Sequence, residues 1–310
     1  MKKLLTALLI GALTGVAVAA PATTSKKKQK VEIVVVESDE YAAGKEDAQL
    51  TGSMARFLDA EPSVTRMTSA QAAADPKLAG LDYSFLPLYL IKKTPAVRSK
   101  FEPYLKQKYL QETNDFVVLP HQTRQGVYTN KPVKKDVMDL FVMAQCPYGV
   151  RAENLVIQAK KDGKFPAGKT LNLRYIVGYD PARGFNSMHG SGEWEEAVRQ
   201  LLIAKYYPGK FWKYLEIRNK DYQSSRWDKA MEQAGVDAKK IMKKFDDEGL
   251  ALLKEQAAYA KEFGVSASPT IIWEGKVQMD LGSAAALEGF EFFNPNQAAG
   301  AAALPAGGHC

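Results

Sequence analysis

Runs of branched apolar residues alternate along the chain with stretches whose apolar spacing is typical of helices. The first run, 31–36, is continuous and β-branched, which predicts a buried strand. The next run, 85–91, carries Pro87 near its start, and proline is tolerated at a strand's edge or in a cis turn but not in a strand interior. The other elements predicted in this half are helices over 45–58, 70–81 and 98–112 and extended segments over 63–67 and 116–119.

The second half repeats this order of strand and helix with longer additions. An apolar strand over 137–142 leads to Cys146 and Pro147, and a helix is predicted over 152–161. A proline-led strand over 266–273 closes the repeated pattern. The remaining predicted elements are a strand over 171–177, several helices within 186–262, a turn at 274–276, a strand over 277–281 and a helix over 283–290.

The first nineteen residues have the features of a cleavable secretory signal. Lys2 and Lys3 precede an apolar stretch over 4–16 that is too short to span a bilayer comfortably. Small residues at 17 and 19 predict cleavage after Ala19. We therefore expect an exported protein, periplasmic or extracellular, with a disordered polar segment over 20–30.

Composition narrows the class of function. The formal charge of +7 falls to +5 once the two lysines of the signal are removed, and 25% charged residues is ordinary for a globular chain. Basic residues are not interleaved with aromatic ones, which argues against a nucleic-acid partner. No later segment is long and apolar enough to embed in a membrane. The two cysteines exclude a disulfide-rich scaffold, and the length suggests two domains.

Cys146 is the strongest candidate for chemistry. It lies between an apolar strand and a predicted helix, where free backbone N–H groups and the helix dipole favour a thiolate. The alternative is a small buried apolar residue without reactivity. The second cysteine, Cys310, follows an Ala/Gly/Pro-rich segment over 294–310 that we expect to be flexible, and it is a possible redox partner.

The loop containing Ser268 and Pro269 is predicted to lie beside Cys146. A cis bond before Pro269 would turn Ser268 toward the sulfur, and the Ser268 backbone could then pair with an extended peptide. The predicted elements follow the order of the thioredoxin fold: a strand, a helix that starts at Cys-Pro, a second strand, a helical insertion and a Ser-Pro-Thr turn that opens a hairpin. Neither Cys-Pro nor Ser-Pro is specific evidence for this fold on its own. Their occurrence in this order, about 120 residues apart, is informative.

The segment Phe-Val-Met-Ala-Gln-Cys-Pro-Tyr-Gly at 141–149, with Ser-Ala-Ser-Pro-Thr at 266–270, resembles the DsbA-like thiol oxidoreductases of thioredoxin fold. The segment 187–194 is similar to the C-Q-H-G-x-x-E-C signature of the gamma-interferon-inducible lysosomal thiol reductases. The resemblance covers about 135–282. It implies a nucleophilic Cys146, a helix start shaped by Pro147 and Tyr148, and a cis-proline at Pro269.

Two departures from these families change the expected mechanism. Gly149 stands where the second cysteine of a C-x-x-C motif belongs, so the site is a C-P-Y-G monothiol motif. Ser187 and Trp194 replace both cysteines of the lysosomal signature. A mixed disulfide at Cys146 must then be resolved by an external thiol or by Cys310, unless the site does not perform exchange.

The fold predicted from this pattern is α/β, with two tandem thioredoxin-like domains. The first (31–125) lacks cysteine, and the pair Leu86–Pro87 mirrors Ser268–Pro269; it is either a degenerate thioredoxin-like domain that binds extended polypeptide or a plain α/β structural domain. A linker over 126–135 leads to the second domain, 136–293, whose helical insertion spans about 186–262. Within it, His189 and Glu193 lie four residues apart and could tune Cys146 or contact a substrate, although a surface or capping role is the simpler reading.

The leading functional prediction is thiol–disulfide exchange on exported polypeptides or with a redox partner protein. Cys146 would attack, and Ser268 with Pro269 would present the partner strand. The alternative is a non-catalytic polypeptide-binding module, and a peroxidase-like use of one cysteine is a third option. No cofactor is expected, and no metal site is expected because His309 and Cys310 are too few ligands for a stable one.

Overall fold

The computed structural model describes residues 28–119, 125–294 and 308–310. It is a mixed α/β structure with a five-stranded sheet, a six-stranded sheet and a separate two-stranded hairpin. The predicted signal over 1–19 and most of the predicted disordered segment over 20–30 lie outside the described residues. Residues 29 and 30, at the end of that segment, already belong to the first strand.

The first half builds the five-stranded sheet, in the order β2-β1-β4-β6-β5. Strand β1 pairs in parallel with β2 and antiparallel with β4. The elements of this half are β1 (Gln29–Glu37), α1 (Ala48–Leu58), β2 (Ala60–Thr68), α2 (Ser69–Ala74), β3 (Phe85–Leu86), β4 (Leu88–Lys92), α3 (Pro95–Lys106), β5 (Gln111–Glu112) and β6 (Phe116–Val118).

Both faces of β1 are buried over residues 33–36, which explains the continuous apolar sequence of that part of the strand. Ile33 and Val35 pack with Met54 of α1 and Phe101 of α3 on one face. The alternate residues Val34 and Val36 pack on the other face, against Leu78, Leu86 and Leu90. Because successive side chains of a strand point to opposite faces, a strand covered on both sides reads as a continuous apolar run.

The chain changes sheets at Pro87. Strand β3 pairs with a strand of the six-stranded sheet, whereas β4 lies inside the five-stranded sheet. The Leu86–Pro87 bond between them is cis. The first half therefore contributes the edge strand of the second sheet.

The second half completes the six-stranded sheet, in the order β3-β7-β13-β12-β8-β9. Its elements are β7 (Gly126–Tyr128), β8 (Val137–Val142), α4 (Pro147–Lys161), β9 (Thr170–Tyr175), β10 (Gly178–Asp180), β11 (Gly184–Asn186), α5 (Ser191–Tyr206), α6 (Phe211–Arg218), α7 (Trp227–Ala234), α8 (Ala238–Met242), α9 (Leu250–Glu262), β12 (Thr270–Trp273), β13 (Val277–Met279) and α10 (Leu281–Ala284).

The strand pairing around β8 is partly parallel and partly antiparallel. Strand β8 pairs in parallel with β9 on one side and antiparallel with β12 on the other, and β12 pairs antiparallel with β13. Helix α4 connects β8 to β9. Helices α5 to α9 lie between β9 and β12 in the chain, and the insertion boundaries of about 186–262 stay a prediction.

The two faces of β8 bury different side chains. Leu140 and Val142 join a large core formed with α4 and the inserted helices. Phe141, on the opposite face, packs with Phe263 and Ile272, in the apolar cluster that also holds Cys146. The alternation of side chains therefore buries both faces of β8, and Cys146 lies in the cluster on the Phe141 face.

Several predicted boundaries differ from the structure; for example, the helix predicted over 98–112 spans Pro95–Lys106, and Gln111–Glu112 form β5. The helix predicted over 70–81 ends at Ala74, because Asp75 is extended and residues 76–80 form turns. The linker predicted over 126–135 begins as strand β7, since Val127 pairs with Val277 and Leu86. The flexible segment predicted over 294–310 is fixed at its far end, where Cys310 is covalently and hydrogen bonded; 295–307 lies outside the described residues.

Among the described residues, no helix is both long enough and apolar enough to span a bilayer.

Candidate redox site

Cys146 caps the amino terminus of α4. Its backbone is extended (φ −78°, ψ 122°) and its Sγ accepts the N–H of Gly149 at 3.5 Å. Pro147 occupies the first helical position, where its missing N–H costs no hydrogen bond. The Cys146 side chain is fully buried. The sulfur is thus held where the helix dipole and free N–H groups favour negative charge.

Cys146 forms a disulfide with Cys310. The S–S distance is 2.09 Å and the two Cα atoms are 6.1 Å apart, across 164 residues of sequence. Cys310 is partly exposed, in contrast to Cys146. The structure therefore brings together the two cysteines that the sequence left as a possible pair.

Ser268 joins the two cysteines through its backbone. Its N–H donates to the Cys310 carbonyl at 3.3 Å, and its carbonyl accepts the Cys310 N–H at 2.9 Å. The Ser268 carbonyl oxygen also lies 3.5 Å from the Cys146 sulfur. The Ser268–Pro269 bond is cis, as the resemblance implied. Cys310 therefore pairs with the loop as a residue of an added antiparallel strand would.

The Ser268 side chain explains why position 149 is glycine. Its Oγ accepts the Met143 N–H at 2.9 Å and points toward the first turn of α4. A β-carbon at Gly149 would lie 2.6 Å from that oxygen and 3.2 Å from both the Met143 carbonyl and the Val142 Cβ. A cysteine at 149 does not fit without displacing Ser268. Sequence reasoning noted the missing cysteine but did not predict this contact.

Tyr148 lies beside the described end of the chain. It packs against the apolar cluster of Cys146 and Met143, together with Cys310. Gly308 lies so close to the Tyr148 ring that a β-carbon there would overlap it. The Tyr148 ring therefore forms one wall of the surface on which residues 308–310 lie.

Glu193 anchors the loop that precedes Cys146. Its carboxylate is fully buried, accepts the Gln145 N–H at 3.1 Å and lies 2.7 Å from the His189 Nδ1. The His189 N–H also donates to this carboxylate, at 3.2 Å. Glu193 thus positions the residue next to Cys146. The similarity of 187–194 to the lysosomal reductases stays a prediction.

A buried polar network lies behind α4, and sequence reasoning did not find it. Glu153, on α4, is fully buried and accepts a hydrogen bond from Asn219 at 2.8 Å, while its Oε1 has no partner. Burial raises the pKa of Glu153 to about 8, and the nearby Glu196 carboxylate adds to the rise. Glu196 is itself paired with Arg199 and Arg218. Glu153 is therefore mostly protonated near neutral pH.

Among residues 28–119, 125–294 and 308–310, no group of three or more His, Cys, Asp or Glu side chains is arranged to hold a metal ion.

Comparison with solved structures returns disulfide-exchange proteins. The chain is similar to the DsbA disulfide interchange protein of Klebsiella pneumoniae (15% identity, TM-score 0.37), over 55% of this chain and 89% of that one. It is similar to DsbA of Pseudomonas aeruginosa (14%, TM-score 0.38), over 55% and 85%. BdbD of Bacillus subtilis matches at 16% and TM-score 0.35, over 51% and 80%. No protein-family model and no curated protein matches the chain.

Proposed function

We propose that this protein performs thiol–disulfide exchange on exported polypeptides, with Cys146 as the nucleophile and Cys310 as its resolving thiol. The observation that carries the proposal is the disulfide between a helix-capping cysteine and a cysteine paired with the cis-proline loop. Export rests on the signal-like sequence over 1–19.

The position of Cys146 favours its thiolate. When the disulfide opens, the Gly149 N–H and the amino terminus of α4 face the freed sulfur. Both stabilise negative charge and lower the pKa of a thiol. A stabilised thiolate is also the better leaving group, so external attack that releases Cys146 is favoured.

The exchange proceeds in two balanced steps. The Cys146 thiolate attacks a client disulfide, a mixed disulfide forms, and the second client sulfur leaves as a thiolate. The Cys310 thiolate then attacks the Cys146 sulfur, which closes the intramolecular disulfide and releases the client sulfur. The client gains two electrons and the protein loses two, and an external dithiol restores the reduced pair. The reverse sequence oxidises a client dithiol.

Each remaining residue of the site has a positioning role in this proposal. Pro147 and Tyr148 shape the helix start, and the Ser268 backbone beside Pro269 holds the extended partner. Glu193, with His189, fixes the loop at Gln145. No cofactor is required.

A second candidate is a non-catalytic polypeptide-binding module. The two-way backbone pairing at Ser268 favours it, because an extended chain of any sequence offers the same N–H and carbonyl groups. In that case polypeptide binding survives Cys146→Ser.

The test is the pH dependence of alkylation at Cys146 in the reduced Cys310→Ser variant. The exchange proposal expects fast labelling with a midpoint well below the ordinary thiol pKa of about 8.5. Labelling no faster than that of a free cysteine would contradict it. As a companion measurement, incubation of the Cys146→Ser and Cys310→Ser variants with a reducible protein substrate shows which cysteine carries turnover.

A further inference from the structure

Residues Gly308 to Cys310, called here segment 308–310, lie beside the cis-proline loop, and Cys310 pairs with the backbone of that loop. Cys310 exchanges two hydrogen bonds with Ser268, at 2.9 and 3.3 Å. This is the pattern of directly opposed residues in an antiparallel pair, and an added peptide is held at a sheet edge in the same way. Segment 308–310 therefore makes the contacts of a bound peptide in addition to the disulfide.

The position two residues before Cys310 faces an aromatic wall. A β-carbon at Gly308 would overlap the Cε1, Cζ and Cδ1 atoms of Tyr148. The Tyr148 ring also packs with Cys310 against the apolar cluster that holds Cys146. Any residue larger than glycine at this position requires the ring to move.

We propose that Cys146, the Ser268 backbone and the Tyr148 ring form a binding site for external polypeptides with glycine two residues before a cysteine. Segment 308–310 is the tethered competitor for this site. The inference rests on the proposed exchange function and names the substrate class of the same site. The incoming cysteine bonds to Cys146, its backbone pairs with Ser268, and its glycine lies against Tyr148.

The buried backbone of Ser268 favours replacement of one extended strand by another. Ser268 is fully buried, and both its N–H and its carbonyl are paired with Cys310. When Cys310 leaves after reduction, both groups lose these partners and must pair with water or with another chain. An extended polypeptide supplies a donor and an acceptor at the required positions.

The test uses the full-length Cys310→Ser variant with Cys146 converted to its glutathione mixed disulfide. Two peptides are compared, acetyl-Ala-Gly-His-Cys-amide and acetyl-Ala-Ala-His-Cys-amide. The peptide thiolate attacks the Cys146 sulfur, the Cys146–peptide bond forms, the Cys146–glutathione bond breaks, and glutathione leaves as a thiolate that takes up the proton. Mass spectrometry of the intact protein gives the equilibrium constant for each peptide.

The expected result is a preference for the glycine peptide of roughly tenfold, since forcing an extra methyl into a filled space is unfavourable. Both peptides carry the same thiol and meet the same competing segment, so the ratio reports only the residue beside Tyr148. Equal constants would overturn the proposal, as would failure of both peptides to displace glutathione.

Variants at Tyr148 locate the preference. In Tyr148→Phe the ring remains and the ratio is retained; in Tyr148→Ala it falls to within about twofold, because the overlapping ring is gone. A preference that persists in Tyr148→Ala would show that another feature selects glycine, and would overturn the assignment. These equilibria need no catalytic turnover, so loss of exchange activity and loss of the glycine preference are distinguishable outcomes.

The intact chain offers an independent measurement. Gly308→Ala is expected to open the Cys146–Cys310 disulfide at a less reducing glutathione ratio than the native chain requires, by roughly tenfold in equilibrium constant. Gly209→Ala is the matched control, because a β-carbon there meets nothing within 4 Å. An unchanged equilibrium in Gly308→Ala would contradict the fit of glycine against Tyr148.

Discussion

The two halves of the molecule each place a cis-proline beside an apolar strand, but the residue before the proline has different partners in the two halves. At Leu86–Pro87, the residue before proline is paired with Val127 inside the six-stranded sheet. At Ser268–Pro269, the residue before proline lies outside the strands, and its backbone pairs with Cys310. The Leu86 backbone is therefore paired within a sheet, whereas the Ser268 backbone pairs with a segment that is distant in sequence.

The strand ends differ in the same way. Strand β8 leads into Cys146, whose sulfur caps a fifteen-residue helix. Strand β1 leads into Ser38, which is buried and whose N–H donates to the Gly44 carbonyl at 2.9 Å. Local backbone groups satisfy Ser38, whereas Cys146 reaches a partner 164 residues away. Under the proposed function, chemistry therefore belongs to the half in which the loop backbone and the helix start are paired with a group that is distant in sequence.

The largest expected effect is the loss of exchange in Cys146→Ser, to the uncatalysed rate, because the attacking sulfur is removed. Adding Ser38→Cys to this variant moves a thiol to the matching strand end of the first half. It is expected not to restore exchange, since position 38 is buried and has no paired cysteine. Turnover of glutathione disulfide measures both. Restored turnover would contradict the proposed difference between the two halves.

The second largest expected effect is on the pH dependence of the free energy of unfolding. The pKa of Glu153 is about 8 in the folded protein, above its usual value of 4.5. The protonated Glu153 contributes to the free energy of unfolding in full below pH 4.5. This contribution is lost as the pH rises toward 8, because the folded state keeps the carboxyl protonated while the unfolded chain releases the proton. The expected loss is on the order of a few kcal/mol. Glu153→Gln should remove this part of the pH dependence.

The four tryptophans of the chain, at 194, 212, 227 and 273, all lie in the second half. Urea unfolding followed by tryptophan fluorescence at pH 5 and pH 8 therefore reports on the half that contains Glu153. The matched control is Glu232→Gln, on the exposed side of α7. An identical pH dependence in the native chain and Glu153→Gln would show that Glu153 does not control this stability.

The contact between Gly149 and Ser268 predicts a non-additive pair of substitutions. Gly149→Ala should lower the free energy of unfolding by about 1–3 kcal/mol, because its β-carbon meets the Ser268 Oγ. In the double variant with Ser268→Ala the oxygen is absent, and we expect destabilisation smaller than the sum of the single effects by about 1 kcal/mol. Gly209→Ala combined with Ser268→Ala should be additive. Additive effects of Gly149→Ala and Ser268→Ala would mean that contact with Ser268 is not the reason for glycine at position 149.

The smallest expected effect is electrostatic. Glu193→Gln keeps an oxygen that can accept the Gln145 N–H and removes a negative charge near Cys146. In the Cys310→Ser background, the midpoint of Cys146 alkylation should fall by about 0.5 pH unit. Glu195→Gln, an exposed position on the same helix, is the control. A rise of the alkylation midpoint in Glu193→Gln would contradict the expected direction of this electrostatic effect.

The sequence predicted β1, β8 and a helix after Cys146 because these depend on local patterns, although α4 begins at Pro147 rather than at the predicted residue 152. The apolar runs of β1 and β8 and the order of motifs from Cys146 to Pro269 are visible within short windows. The contacts that define the site are not local. Gly149 meets Ser268 across more than a hundred residues, and the burial that raises the pKa of Glu153 arises only when the inserted helices pack on α4.

The far end of the chain was the least predictable part. An Ala/Gly/Pro-rich segment buries little of itself, so its composition predicts flexibility. Composition carries no information about a covalent bond to a residue 164 positions earlier or about pairing with Ser268. The sequence could name Cys310 as a candidate, and only the three-dimensional arrangement brings it to Cys146.

The crosslink between Cys146 and Cys310 also determines how the molecule responds to a pulling force. If tension is applied at residues 28 and 310, the disulfide carries the load past the loop between Cys146 and Cys310, a sequence separation of 164, so the oxidised chain lengthens mainly through its first half. Reduction releases roughly 550 Å of additional contour length, at about 3.4 Å per residue. An optical trap would resolve this as a long extension step present only in the reduced molecule.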